Sequence, residues 1–172
     1  VESVDEDLWI ASARRGDVDA LEHLFRTYQP SVLRLCQRLL GAEDAEDATQ
    51  ATFVQVFRGL RTFRGESSMK TWIYRIALNE AMAHSRRKRP VIALDESILP
   101  AVDGISEAAH RWSVQQALFK LKPEHRAILI LRFWEELAYE EIAEVLRISL
   151  PATKMRLSRA REEFKKCYDQ CR

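Results

Sequence analysis

The sequence predicts an all-α protein made of two small helical domains joined by a linker, and three observations carry that expectation. Gly and Pro are scarce, five of each in 172 residues. Apolar residues recur at the three-to-four spacing of a helix over most of the chain, and no stretch alternates as a half-buried strand would. The periodicity fails at residues 90–106, where two prolines, a glycine and several acidic residues gather. Such a stretch reads as a linker, leaving residues 1–89 as a first domain and 107–172 as a second. With 47% hydrophobic and 31% charged residues, the chain can bury cores and stay soluble.

Taken in order, a first helix is expected over residues 5–14. Asp17 is placed to cap a second, which runs to Leu40 with Leu21, Leu24, Phe25, Tyr28, Val32, Leu35, Cys36 and Leu39 on its apolar face. Pro30 lacks an amide hydrogen and should bend or split that helix. Gly41 ends it where a left-handed conformation is cheap. A third helix over residues 42–60 opens with Glu43, Asp44, Glu46 and Asp47, which suit the positive end of a helix dipole, and buries Phe53, Val56, Phe57 and Leu60. A polar loop with one glycine follows, and Ser67 or Ser68 can cap a fourth helix over residues 69–87, buried through Trp72, Ile73, Ile76 and Ala77. That helix ends in a basic run reaching Arg89. Beyond the linker, helical patterns cover residues 107–121 and 123–134, the latter starting with a proline.

The stretch 139–161 reads as two short helices joined by a tight turn. Ala143 is small where the helices must cross, Ile148 plugs the turn, Ser149 can cap the second helix, and Pro151 is tolerated in its first turn. At 100° per residue, Thr153, Leu157, Ala160 and Phe164 form a packing stripe, while Met155, Ser158, Arg159 and Glu162 point away. Lys154, Arg156, Arg161 and Lys165 lie on the flanks. An Arg-rich helix alone is equally well explained as a solvated surface. Preceded by a second helix and a turn, it becomes a helix-turn-helix suited to the major groove of DNA.

Net charge is only +1, so overall charge does not call for a nucleic acid; its distribution does. Acidic residues collect at 1–7, 43–47 and 95–107, cations at 70–89 and 154–166. In the first domain, Arg61, Arg64, Lys70, Arg75 and the basic run at 86–89 surround a loop containing Phe63 and a helix containing Trp72 and Tyr74. Cations and aromatics around a polar loop suit single-stranded DNA. Trp72 itself fits better as a core residue.

Catalytic patterns are missing. The loop around Gly65 lacks the spacing of a phosphate cradle, and His23, His84, His110 and His125 are scattered. The pairs Asp44/Asp47 and Glu140/Glu141 occupy helix first turns, where capping and dipole effects account for them. Cys36 reads as a core thiol, and Cys167 and Cys171 share a helix face with no histidine to complete a metal site. The expectation is therefore no enzyme, no small-molecule substrate, no cofactor and no metal. With no bilayer-length apolar run and no signal-peptide pattern, a cytoplasmic protein without membrane insertion is expected.

Three segments together, Asp44-Ala-Glu-Asp-Ala-Thr-Gln-Ala-Thr-Phe-Val-Gln-Val-Phe57, Phe63-Arg-Gly-Glu-Ser-Ser-Met-Lys-Thr-Trp-Ile-Tyr-Arg-Ile-Ala-Leu-Asn79 and the terminal helix-turn-helix, resemble extracytoplasmic-function sigma factors of bacterial RNA polymerase. The resemblance covers nearly the whole chain. It implies sigma domain two at residues 1–89 and sigma domain four at 107–172. It further implies a transcription initiation factor that binds core RNA polymerase at the β′ clamp and β flap, directs it to promoter DNA, and is controlled by an anti-sigma factor. Asp47, Gln50, Phe53, Val54 and Phe57 then match the segment that docks on the β′ clamp. Phe63, Arg64, Ser67, Ser68, Lys70, Arg75, Asn79, Arg86 and Arg87 match the part that captures the −10 element. Arg147, Thr153, Lys154, Met155, Arg156, Ser158, Arg159 and Arg161 match the reader of the −35 element, with Arg132 a phosphate contact. Arg147 stands where a turn glycine is common, Ala138 replaces a Ser cap, and Met155 replaces a Ser, pointing to apolar contact with a thymine methyl. The alternative in another class is a stand-alone helix-turn-helix regulator, which would need a dimerisation surface that the sequence does not offer.

Overall fold

The computed structural model describes residues 2–87 and 105–171, and among them every regular element is helical. The helices are α1 (Glu2–Arg14), α2 (Val18–Leu40), α3 (Ala42–Gly59), α4 (Met69–Arg87), α5 (Ile105–Lys120), α6 (Pro123–Phe133), α7 (Tyr139–Leu146) and α8 (Leu150–Asp169), with one 3-10 turn at Leu60–Thr62. The all-α class expected from periodicity is what forms. Residues 90–104 of the expected linker, and Lys88 and Arg89 of the basic run, lie outside the described residues.

The boundaries follow from local chemistry. Asp17 has an extended backbone and its Oδ1 accepts from the Ala20 amide at 3.1 Å, which starts α2 and draws its carboxyl below the usual range. Ser68 does the same for α4, accepting from the Thr71 amide at 3.1 Å. Pro30 does not split α2: the helix is continuous from Val18 to Leu40. The amide that Pro30 lacks would have paired with the Arg26 carbonyl, and both residues are exposed, so water can satisfy that oxygen while the buried stripe holds the helix together. At Gly41 φ is +92° as a glycine permits, but ψ is 170°, so the residue is extended rather than left-handed helical. A single residue thereby turns α2 into α3.

Helices α1 to α4 pack on one another, as do α5 to α8, and α2 and α4 also touch α6 and α7. The first core joins Val32, Leu35 and Leu39 of α2, Phe53 and Val56 of α3, and Ile73 and Tyr74 of α4. Thr49 and Thr52 are buried without penalty because each hydroxyl donates to the carbonyl four residues back at 2.7 Å. In the second core, Ala127 to Leu131 of α6 are all buried, five in succession. A helix can hide every face only if neighbours cover it all round. Here α7 and α8 cover one side and α2 another.

Burial, only partly offset by a hydrogen bond with Thr49, pushes the Cys36 thiol up to about 11. The folded chain therefore keeps a proton that the unfolded thiol releases above its usual value of 9.0, and this thiol's contribution makes stability fall as pH rises from 9 towards 11. Native protein treated with a thiol alkylator at pH 8 should carry label on the half-buried Cys167 and Cys171 while Cys36 stays unmodified until urea is added. Peptide mass spectrometry reads the difference.

Candidate nucleic-acid interface

The helix-turn-helix is α7, a three-residue turn, and α8. The turn is as tight as a glycine would make it, because Arg147 itself adopts the left-handed conformation (φ 52°, ψ 47°) and its amide closes the end of α7 onto Ala143 and Glu144. Ser149 caps α8, accepting from the Ala152 amide at 3.3 Å, and Pro151 occupies the first turn. At the start of α7, Glu141 reaches back to the Ala138 amide at 2.7 Å, but Ala138 has no acceptor to return the bond.

α8 is held from behind. Leu157 and Ala160 are buried and Phe164 half-buried, as the helical wheel predicts. His125 of α6 bonds Glu163, and the carboxy-terminal end docks on α5 through Ser113 with the Cys171 carbonyl and Tyr168 with His110. The opposite face presents Met155, 52% exposed, with Ser158 and Arg159, and Lys154 and Arg161 beside them. Among the described residues none of these three cations is held by an ion pair, so their charge is uncommitted. Arg156 is half-buried on the flank. Thr153 corrects the expected −35 set. It is fully buried, its hydroxyl bonded to the Ser149 carbonyl, and it packs α8 onto α7 instead of facing a groove. Arg132 is largely committed inward, donating to the Leu137 carbonyl at 2.9 Å with its guanidinium over the Tyr139 ring.

The loop between the 3-10 turn and α4 brings together the expected −10 residues. Arg64, Ser68 and Asn79 are exposed, Ser67, Lys70 and Arg75 half-buried, and Arg86 and Arg87 exposed at the end of α4. Arg75, Asn79 and Arg86 recur along one face of the helix. Phe63 departs from expectation: only 8% exposed, its ring lies against Trp72 at 5.0 Å between centroids and forms a floor beneath the loop, not an open stacking face. Gly65, with φ +72°, lets the loop turn above it.

On α3, Asp47, Gln50, Val54 and Phe57 fall on one exposed face, with Val54 and Phe57 46% and 37% accessible. Phe53, which the helical period buries and the resemblance puts in the docking set, is 3% exposed and belongs to the core beneath that face, whereas Phe57, expected on the buried side, is the exposed one. The sequence reading placed Phe25 in the buried face of α2, yet it is 39% exposed and meets Phe53 edge-on at 4.8 Å. It widens the apolar stripe.

Residues 24–91 match the family model of sigma-70 region 2, and residues 111–164 that of sigma-70 region 4. The chain is 38% identical over 158 residues to the RNA polymerase sigma factor YlaC of Bacillus subtilis, covering 86% of this chain and 91% of that one. It is 29% identical over 175 residues to the ECF RNA polymerase sigma factor SigW of the same organism, covering 91% and 93%. In fold it is similar to the sigma factor RpoE of Bartonella quintana, solved with the anti-sigma factor NepR, with a TM-score of 0.71 and 22% identity over 88% of this chain and 98% of that one.

Two substitutions test the local geometry. Ala138→Ser supplies the missing half of the cap and should stabilise the fold by about 1 kcal/mol. Arg147→Gly removes left-handed strain from a side-chain-bearing residue and should add roughly 1 kcal/mol. Urea unfolding followed by circular dichroism measures both, and a loss of stability in Arg147→Gly would show that the arginine side chain outweighs its backbone cost.

Proposed function

The chain belongs to the extracytoplasmic-function sigma factors of the sigma-70 family, and we propose that it works through three surfaces, each assigned to named residues. The protein is a transcription initiation factor that binds core RNA polymerase and directs it to promoters by their −10 and −35 elements. Residues 1–89 act as sigma domain two and 107–172 as sigma domain four. On α3, Asp47, Gln50, Val54 and Phe57 dock on the β′ clamp, with Phe25 at the edge of the patch. Arg64, Ser67, Ser68, Lys70, Arg75, Asn79, Arg86 and Arg87 hold the −10 strand above the Phe63 floor. Lys154, Met155, Ser158 and Arg159 face the −35 groove, and Arg147, Arg156 and Arg161 its phosphates. Arg132 positions the loop before α7.

The observation that carries this reading is the division of α8. One face is anchored to α5, α6 and α7, and the other presents uncommitted cations around a methionine. Capture of extruded bases and neutralisation of phosphates supply the energy for opening, with no nucleotide hydrolysis by this chain. Its work with RNA polymerase places it in the cytoplasm. The sigma factor it resembles in fold is bound by an anti-sigma factor, and control of the same kind is proposed here.

The test is reconstitution with core polymerase and promoter DNA, with permanganate reactivity of unpaired thymines as the readout. Arg159→Ala should weaken binding to the cognate −35 duplex by ~1–3 kcal/mol and leave a scrambled duplex little changed, whereas Lys165→Ala should weaken both alike. Val54→Asp should abolish co-elution with core polymerase at unchanged helix content. Equal losses on both duplexes for Arg159→Ala would remove it from the groove, and failure of the wild-type chain to bind core polymerase would end the reading altogether.

A further inference from the structure

Gly59 is the last residue of α3, with a helical backbone (φ −83°, ψ −16°) that asks for no glycine. Glycine in that conformation gives up stability that an alanine would keep. The reason for it lies alongside. A Cβ on Gly59 would stand 3.1 Å from Trp72 Cζ2 and 3.5 Å from Cη2, the first closer than carbon atoms ordinarily approach. The indole of Trp72 on α4 therefore occupies the place of the missing side chain. The same indole meets the Phe63 ring at 5.0 Å between centroids. The chain between Gly59 and Phe63 is pinned: the Thr62 hydroxyl donates to the Gly59 carbonyl at 2.9 Å, and the Phe63 amide to the Leu60 carbonyl at 3.1 Å. Trp72 is pinned from α4, where its amide donates to the Ser68 carbonyl at 3.0 Å and the Ser68 hydroxyl donates to Thr71 Oγ1 at 2.9 Å.

We propose that Gly59 is a positioning residue for capture of the −10 strand: its bare Cα lets Trp72 seat against the end of the polymerase-docking helix, and that seat sets the level of the Phe63 floor. The proposal rests on the sigma-factor reading for its effect on DNA, though not for the contact itself. Val54 and Phe57 lie on the last two turns of the same helix, so α3 carries the docking face and the seat on one rigid element. Holding α3 on the polymerase thereby holds the loop from Arg64 to Lys70 as well.

A methyl on Gly59 has no soft neighbour to displace. Trp72 ends in a flat, rigid ring, and that ring rests on Phe63, itself only 8% exposed. Relief requires the indole to give by a few tenths of an ångström, and the floor or the first turn of α4 moves with it. Ser67, Ser68 and Lys70 stand at that turn. Strand capture needs these groups to converge on one path, so a small displacement is felt there first. The fold responds differently, because alanine suits the helical backbone at this position and brings its own gain in helix propensity. A mere loss of packing would move fold and capture together.

Fluorine NMR of the full chain labelled with fluorotryptophan tests the contact. The chain has four tryptophans, and the resonance that Trp72→Phe removes is that of Trp72. Gly59→Ala should shift that resonance and leave those of Trp9, Trp112 and Trp134 in place. Reconstituted holoenzyme tests the role, with a single-stranded −10 oligonucleotide and a duplex carrying only the −35 element as probes. Gly59→Ala should weaken binding of the −10 strand about tenfold, the scale of one lost base contact, while −35 affinity, co-elution with core polymerase and helix content stay at wild-type values. In the Trp72→Phe background, where the smaller ring leaves room for the methyl, the same alanine should cost nothing. An unmoved Trp72 resonance overturns the contact. Unchanged −10 affinity, an equal loss in both backgrounds, or a loss shared by the −35 duplex overturns the positioning role. A wild-type chain that does not join core polymerase, or whose holoenzyme binds neither probe, instead refutes the sigma-factor reading and leaves the NMR result standing.

Discussion

Arg126 meets carbonyl oxygens that would otherwise end two helices without partners. Its Nε and Nη2 donate to Leu118 and Phe119 at the end of α5, and its Nη1 donates to Leu39 at the end of α2. The guanidinium lies over the Phe119 ring, and no carboxylate balances it among these contacts. Burial lowers its proton affinity to about 10, which still leaves it charged at neutral pH. The negative ends of two helix dipoles supply the compensating potential. Because α6 begins at Arg126's own turn, fixing this one side chain fixes where α6 leaves α5 and where it lies along α2. The loop carrying Glu135, the turn at Arg147 and the seat of α8 all follow from that placement.

From this frame the protein draws two unlike surfaces out of the same helical rule. A helix buries one stripe and exposes the other. On α3 the exposed stripe is apolar, carrying Val54 and Phe57 over the buried Phe53, and suits a protein partner. On α8 it is cationic around Met155, and suits DNA.

Much of this was legible in the residue order. Helix starts were visible because Asp17, Ser68 and Ser149 are short polar residues that cap locally, and the split of α8 was visible because its period is fixed. The errors lie where local rules meet tertiary packing. Thr153 and Phe53 match motif positions, yet the helical period already sets both on a packing stripe, and both are buried there. Phe63 lies in a polar loop, which suggests a ring open to bases, while Trp72 provides its cover. Pro30 failed to break α2 because the carbonyl it orphans faces water. The partners of Glu135 could not be read at all: Arg38 and Tyr74 lie 97 and 61 residues from it, and no periodicity connects them.

The apolar stripe formed by Phe25, Val54 and Phe57 carries a colloidal consequence. It is exposed, and the chain brings little electrostatic repulsion to keep copies apart, with a net charge of +1 and an isoelectric point near 7.9. Unpartnered molecules are thus attracted through a greasy face and repelled by almost nothing. A cell gains by keeping the free pool small, with each new chain passed quickly to polymerase or to a sequestering protein. In the test tube the same feature sets the handling rule: solubility is poorest slightly above neutral pH and improves as the buffer moves away from it.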